Sequence, residues 1–222
     1  MTLGRLRLSV ADARDLAEGA LRGIGYHNDE ARIIADHVID AAMCGYEYSG
    51  LAKILNVFES EHFRLPRRSM EVLRETEVSL AFDGGNNVGM LALFHAAQAT
   101  IKKTASHGIA LVSVTDAWMS GRGAYYVEMI AKHGLVAIHT AASSRLVAPP
   151  GGIRPVHQPD CDCGSVVARA DRARYGYFSL HDDRGDATRT AWRVTSRRRR
   201  TRPLSLPPAQ GDECIEYHPV DL

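Results

Sequence analysis

Two short stretches of this chain carry residue types that could do chemistry. The first is Tyr48-Ser49-Gly50-Leu51-Ala52-Lys53. A phenol has a pKa of about 10 in water, and a neighbouring cation such as Lys53 lowers it. The same residues also read as a tyrosine at the start of a helix and a solvated lysine. The second is Asp116-Ala117-Trp118-Met119-Ser120-Gly121-Arg122-Gly123. Ser120, Gly121 and Gly123 permit close backbone approach to a phosphate at a helix N-terminus, and Arg122 has the fork geometry to grip one. The same loop also reads as an ordinary glycine-rich connection between a strand and a helix. The histidines at 27, 37, 62, 95, 107, 133 and 139 show no metal-ligand spacing, and no metal is expected. Most are expected at the surface or on helices, with His139, on an expected buried strand facing the loop side, the one worth testing.

The elements that must position these stretches follow from periodicity. Ser9 and Asp12 resemble a capping box for a helix running to about Gly23, with Leu16, Ala20 and Leu21 as its apolar stripe. Asn28 is expected to cap a second helix, with Asp29 and Glu30 in its first turn and Ile33, Ile34, Val38 and Ala41 at helical spacing, ending at Gly45. A third helix covers Leu51 to Glu59, and Pro66 with the polar RRSMEVLRET segment closes the helical unit. Val78 to Phe82 then reads as a strand and Asp83 to Asn87 as a turn. A helix spans Val88 to Ser106, with Leu91, Phe94, Ala97 and Ile101 on one face and Gly108 as its stop. Gly108 to Thr115 is a nearly continuous apolar strand of the kind covered on both faces. Ala124 to His133 is the next helix and Leu135 to Thr140 the next strand. Helices alternating with buried strands predict an α/β fold.

Several segments, in order, resemble the malate/L-lactate dehydrogenase family of the non-Rossmann type: LAEGALRGIGYHNDEARIIADHVIDAAMCGYEYSGLAKIL, FDGGNNVGMLALFHAAQATIKKTASHGIALVSV, GAYYVEMIAKHGLVAIHTAAS and LVAPPGG, together about Leu8 to Pro155. No GxGxxG fingerprint occurs. The resemblance implies an N-terminal helical unit followed by part of a mixed-sheet nucleotide-binding domain. It also implies NAD or NADP as cofactor, a small-molecule 2-hydroxy or 2-oxo acid or a cyclic imino acid as substrate, and a homodimer. The family usually carries Ser-His-Gly after the second helix, the histidine moving a proton at the substrate C2. Here Tyr48 takes the serine position, Ser49 the histidine position, and Lys53 the basic position that meets the substrate carboxylate. A serine cannot replace an imidazole near neutral pH, so Tyr48 as acid with Lys53 as anchor is the substitute pair. In the loop, Met119 takes the place of a usual histidine, and Met119, Ser120, Gly121, Arg122 and Gly123 are the implied cofactor contacts. Both usual histidines being absent, a divergent subgroup or a changed substrate is expected.

The chain changes character after residue 156. All four lysines lie before position 133, whereas eleven of 23 arginines lie after 156, as do three of four cysteines. Read one base later, the codons of HQPDCDCGS can encode Thr-Asn-Pro-Ile-Ala-Ile-Ala-Val. Those of ARADRARYGYFSLHDDRGDATRT can encode a family strand, the run Asp-Met-Gly-Thr-Ser, and a helix. A one-base frameshift near Val156 accounts for both the composition and the hidden match. The organisation expected is therefore residues 1–75 as the helical unit, 76–156 as a partial cofactor-binding domain, and 157–222 as an out-of-frame tail that does not fold. The RRRR run at 197–200, Arg184-Gly185-Asp186 and Cys161-x-Cys163 would be accidents of the shifted frame. Loss of a central strand would leave an open sheet edge and a marginal, inactive, pseudogene-like product.

A net charge of +1 and no apolar run near the roughly 20 residues of a membrane span give no reason to expect a nucleic acid or a membrane as partner. With no apolar leader at the start, the cytoplasm is the default location. The expected function is an NAD(P)-dependent oxidoreductase. The alternative is a small α/β binding module whose basic tail contacts nucleic acid.

Overall fold

Ser9 ends a short strand, β1 (Leu6–Ser9), and caps the helix that follows. Its hydroxyl accepts the Asp12 N–H at 3.0 Å and donates to the Asp12 carboxylate at 2.6 Å. In this computed structural model the described residues are 6–141 and 153–154, with short strand segments at 168–169, 172–173 and 214–217. Helix α1 runs Val10–Gly23 and α2 runs Asn28–Met43. The N-cap of α2 is His27, one residue before Asn28. Its backbone N–H donates to Glu30, which leaves Asn28 as the first helical residue. The buried stripe of α1 is Ala13, Ala17 and Leu21. Leu16 is 59% exposed and Ala20 is exposed, so the expected stripe holds only at Leu21. Small residues there let α1 approach α2 closely, where Ala31, Ile34, Ala35 and Val38 complete the core.

A 3-10 turn at Glu47–Ser49 leads into α3 (Lys53–Glu59), shorter than the helix expected from Leu51. The polar segment after Pro66 is not a plain linker. It contains β2 (Glu71–Glu75), antiparallel to β3 (Ser79–Val88). All five residues of β2 are exposed, so no buried-strand pattern marked it. The Asp83 to Asn87 run is likewise not a chain-reversing turn but the bulged end of β3. The β3 register with β4 (Leu111–Trp118) shifts between Asp83 and Asn87. Gly85 at φ 62° and Asn86 at φ 57° supply the left-handed backbone the bulge requires. Carboxamides knit it in place: Asn86 donates to the His62 carbonyl at 3.0 Å, and Asn87 donates to the carbonyls of Arg68 and Gly84 at 2.7 Å.

The sheet is mixed, in the order β2-β3-β4, with β3 and β4 parallel and joined by α4 (Gly89–His107), which packs on both. Gly108 at φ 77° ends α4 as the sequence implies. The architecture is thus a helical N-terminal part followed by a mixed-sheet α/β part, as expected. Helix α5 covers Gly123–Ala131.

The chain divides into two compact units, Met1–Tyr125 with Leu206–Leu222, and Tyr126–Ser205. In the first, β1 pairs antiparallel with β7 (Cys214–Tyr217). In the second, β5 (Ala168–Arg169) pairs antiparallel with β6 (Arg172–Ala173). Leu135 to Thr140, expected as a strand, is not one. Val136 and Ile138 are exposed around a buried Ala137, which is a strand's alternation. No neighbouring strand among the described residues supplies its hydrogen bonds. The Arg197–Arg200 run, the Arg184 to Asp186 motif, and Cys161 with Cys163 lie outside the described residues.

Candidate active site

The site forms where α2, the turn into α3 and the β4–α5 loop meet. On α2, His37 falls on the apolar face with Ile34, Val38 and Ala41; it is a helix residue, as expected of most of these histidines, and it is fully buried. Its Nε2 accepts the backbone N–H of Arg122 at 2.8 Å, and its ring packs on Tyr125 at 4.7 Å between centroids. Accepting at Nε2 requires that nitrogen to be unprotonated. Burial, aided by the nearby Arg122 and Lys53 charges, pushes the imidazole pKa from 6.5 down to about 3. Gly121 lies directly against this ring: a β-carbon there would come within 2.2 Å of Nε2, and the residue sits at φ 70°.

Less than one turn further along α2, Asp40 takes the Arg122 side chain. The guanidinium donates from Nε at 3.0 Å and from a terminal nitrogen at 2.6 Å to one carboxylate oxygen. Arg122 is 8% exposed. Arg122, expected to reach a phosphate, has its side chain against Asp40 of α2. Met119, at φ 58°, packs with Trp118 against the hydrophobic core. Trp118 donates its indole N–H to the Asn86 carbonyl at 3.1 Å and stacks on His62 at 5.7 Å, which ties the start of the loop to the β3 bulge. Ser120, Gly121 and Gly123 are half-buried along the rest of the loop.

Lys53 opens α3 and is 6% exposed. Its ammonium lies 4.2 Å from the centroid of the Tyr48 ring and makes no side-chain hydrogen bond or ion pair among the described residues. The cation therefore meets the face of Tyr48 rather than its hydroxyl. Tyr48 is 76% exposed, and Ser49 beside it is buried. Tyr48, Ser49, Lys53 and the loop therefore all belong to the first unit. His139 belongs to the second, where its half-buried ring packs on Tyr126 at 5.5 Å and burial lowers its pKa. Among the described residues no group of three or more His, Cys, Asp or Glu is placed to hold a metal ion, and no helix is long and apolar enough to cross a membrane.

The family model for malate/L-lactate dehydrogenase matches residues 8–160. The chain belongs to the malate/L-lactate dehydrogenase family. Hydroxycarboxylate dehydrogenase B of Escherichia coli strain K12 is 28% identical over 148 residues, 64% of this chain and 41% of the relative. The malate dehydrogenase structure from Pyrococcus horikoshii OT3 superposes with a TM-score of 0.64 at 24% identity, covering 68% of this chain and 44% of that one. The Δ1-piperideine-2-carboxylate reductase structure from Pseudomonas syringae pv. tomato gives 0.52 at 21%, covering 59% and 40%. At those identities the two structures speak for the fold. The chain spans less than half the length of these family members.

Within this malate/L-lactate dehydrogenase fold, sequence reasoning missed His37 and Asp40. A polar ring on the apolar stripe of α2, with a carboxylate three residues on, was the available signal.

Proposed function

We propose that this chain is built for nicotinamide-dependent oxidation or reduction of a small acid, a 2-hydroxy/2-oxo acid or a cyclic imino acid carboxylate. One observation carries this reading: the Lys53 ammonium is buried with no carboxylate of the chain to neutralise it among the described residues. An unpaired buried charge is costly, and a ligand carboxylate offsets that cost.

The implied cofactor fits the loop in its backbone and not in its arginine. Small residues open α5, whose first-turn N–H groups suit a phosphate. Ser120, Gly121 and Gly123 would hold the cofactor through the main chain, with Met119 beneath them, while Arg122 is already committed to Asp40. When bound, the cofactor supplies the hydride donor or acceptor. Of the chain's own groups, Lys53 binds and orients the substrate carboxylate. The Tyr48 hydroxyl, open to solvent, holds the proton that the substrate oxygen or nitrogen gains or loses. Ser49 lies next to it at the position of the missing histidine. Absence of a free guanidinium in the loop favours NAD over NADP. A homodimer and a cytoplasmic setting belong to this reading by resemblance.

We also propose that the chain leaves its ancestral frame near Val156, which leaves the activity incomplete. The end of the family match at residue 160 supports this, as does the family sequence hidden one base away. Matches to dehydrogenases disfavour the nucleic-acid-binding alternative. The test is to assay this chain and its frame-restored form for NADH and NADPH oxidation with a panel of 2-oxo acids and cyclic imines. Activity in the restored form alone is expected. No cofactor response in either form overturns the enzyme reading, and uninterrupted family-length coding without a shift overturns the frameshift.

A further inference from the structure

The loop Met119–Gly123 sits on α2 through contacts that the reaction itself does not require. His37 sends its Nε2 to a backbone N–H of the loop, and Asp40 pins the side chain of that same residue. The imidazole also occupies the space a side chain at 121 would need, so the loop can close onto α2 only with glycine there. A main-chain N–H held by a buried ring is fixed in direction as well as in place, because the ring is wedged against Tyr125.

We propose that His37 is a positioning residue for the dinucleotide loop. By accepting the Arg122 N–H it fixes the left-handed turn at Gly121, and with it the loop shape that receives the cofactor. His37 touches no substrate. It acts through the backbone of 121–122, while Asp40 removes the Arg122 charge from the cofactor's reach. This rests on the reading of the loop as the cofactor site. Because the imidazole stays neutral down to about pH 3, the acceptor is available throughout the ordinary pH range.

The test compares two replacements of similar size in the 222-residue chain. His37→Leu fills the space and removes the acceptor; His37→Gln restores a carbonyl oxygen near the Nε2 position. Amide hydrogen exchange at Arg122 reads the contact itself, and fluorescence titration with NADH reads the loop. In His37→Leu, Arg122 exchange rises and NADH affinity falls, each about tenfold, as expected for loss of one buried hydrogen bond. In His37→Gln both return to within about threefold of the wild type, whatever the change in melting temperature, because the acceptor and not the packing decides. Unchanged Arg122 exchange in His37→Leu overturns the proposal, and so does a His37→Gln chain as impaired as His37→Leu. If neither the chain nor its frame-restored form responds to NADH, the cofactor reading of the loop fails, and Arg122 exchange still decides whether His37 sets its shape.

Discussion

Arg122 and Lys53 are both buried cations, and the protein treats them in opposite ways. Arg122 is closed within the chain: Asp40 takes its guanidinium and His37 its backbone N–H. Lys53 is left open, with the face of Tyr48 and no carboxylate against its ammonium among the described residues. Equal burial therefore says nothing about role. The presence or absence of an anionic partner separates a charge that shapes the site from one that waits for a ligand.

Removing the partner of the closed charge gives the largest effect. Asp40→Ala takes this carboxylate away from the buried Arg122 guanidinium, and should destabilise the first unit by about 2–4 kcal/mol in chemical denaturation, with Asp40 partly solvated. A smaller loss would make the two cations alike. Lys53→Met should have the opposite signature. Stability holds or rises by about 1 kcal/mol because a desolvated charge disappears. Carboxylate substrates in the frame-restored enzyme bind ten- to hundredfold more weakly, about 1.5–3 kcal/mol for a lost charged hydrogen bond. Destabilisation by Lys53→Met would mean a structural role.

The proton balance of His37 sharpens the same contrast. Its folded pKa lies below the unfolded value, so the unfolded chain binds the extra proton. The stability from keeping it neutral is complete above about pH 6.5 and drains as pH falls toward 3, at up to about 1.4 kcal/mol per pH unit. Denaturation midpoints between pH 4 and 7 should show that slope in the wild type and a shallower one in His37→Gln. The smallest effect is at Tyr26. Its buried hydroxyl has no partner among the described residues, and burial pushes its pKa to about 12. Tyr26→Phe should leave stability unchanged or raise it by up to about 1 kcal/mol. A loss above 1 kcal/mol would show that the hydroxyl is satisfied after all.

Element order was legible because long periodic helices and the apolar run at Gly108 to Thr115 carry their own signal, although β4 is not covered on both faces as expected: Leu111, Ser113 and Thr115 are exposed. β2 was not, because an exposed edge strand has no buried face to reveal it. The bulge at 83–87 uses the same Gly and Asn residues as a turn, and only its pairing with β4 tells them apart. At the site, the segments were found but not the partnerships. Arg122 has the right side chain for a phosphate, and what diverts it is Asp40, a residue brought beside it only by packing of α2. Likewise Lys53 lies near Tyr48 as expected, but over the ring rather than at the oxygen, a distinction set by the turn between them.

The contact between Gly121 and His37 carries one more consequence. Because the ring of one residue stands in the only room the other has for a side chain, the two positions are a single character in the history of the chain. Drift at 121 toward anything bulkier must wait for position 37 to shrink. A lineage that trims the imidazole first gives up the acceptor that made glycine necessary.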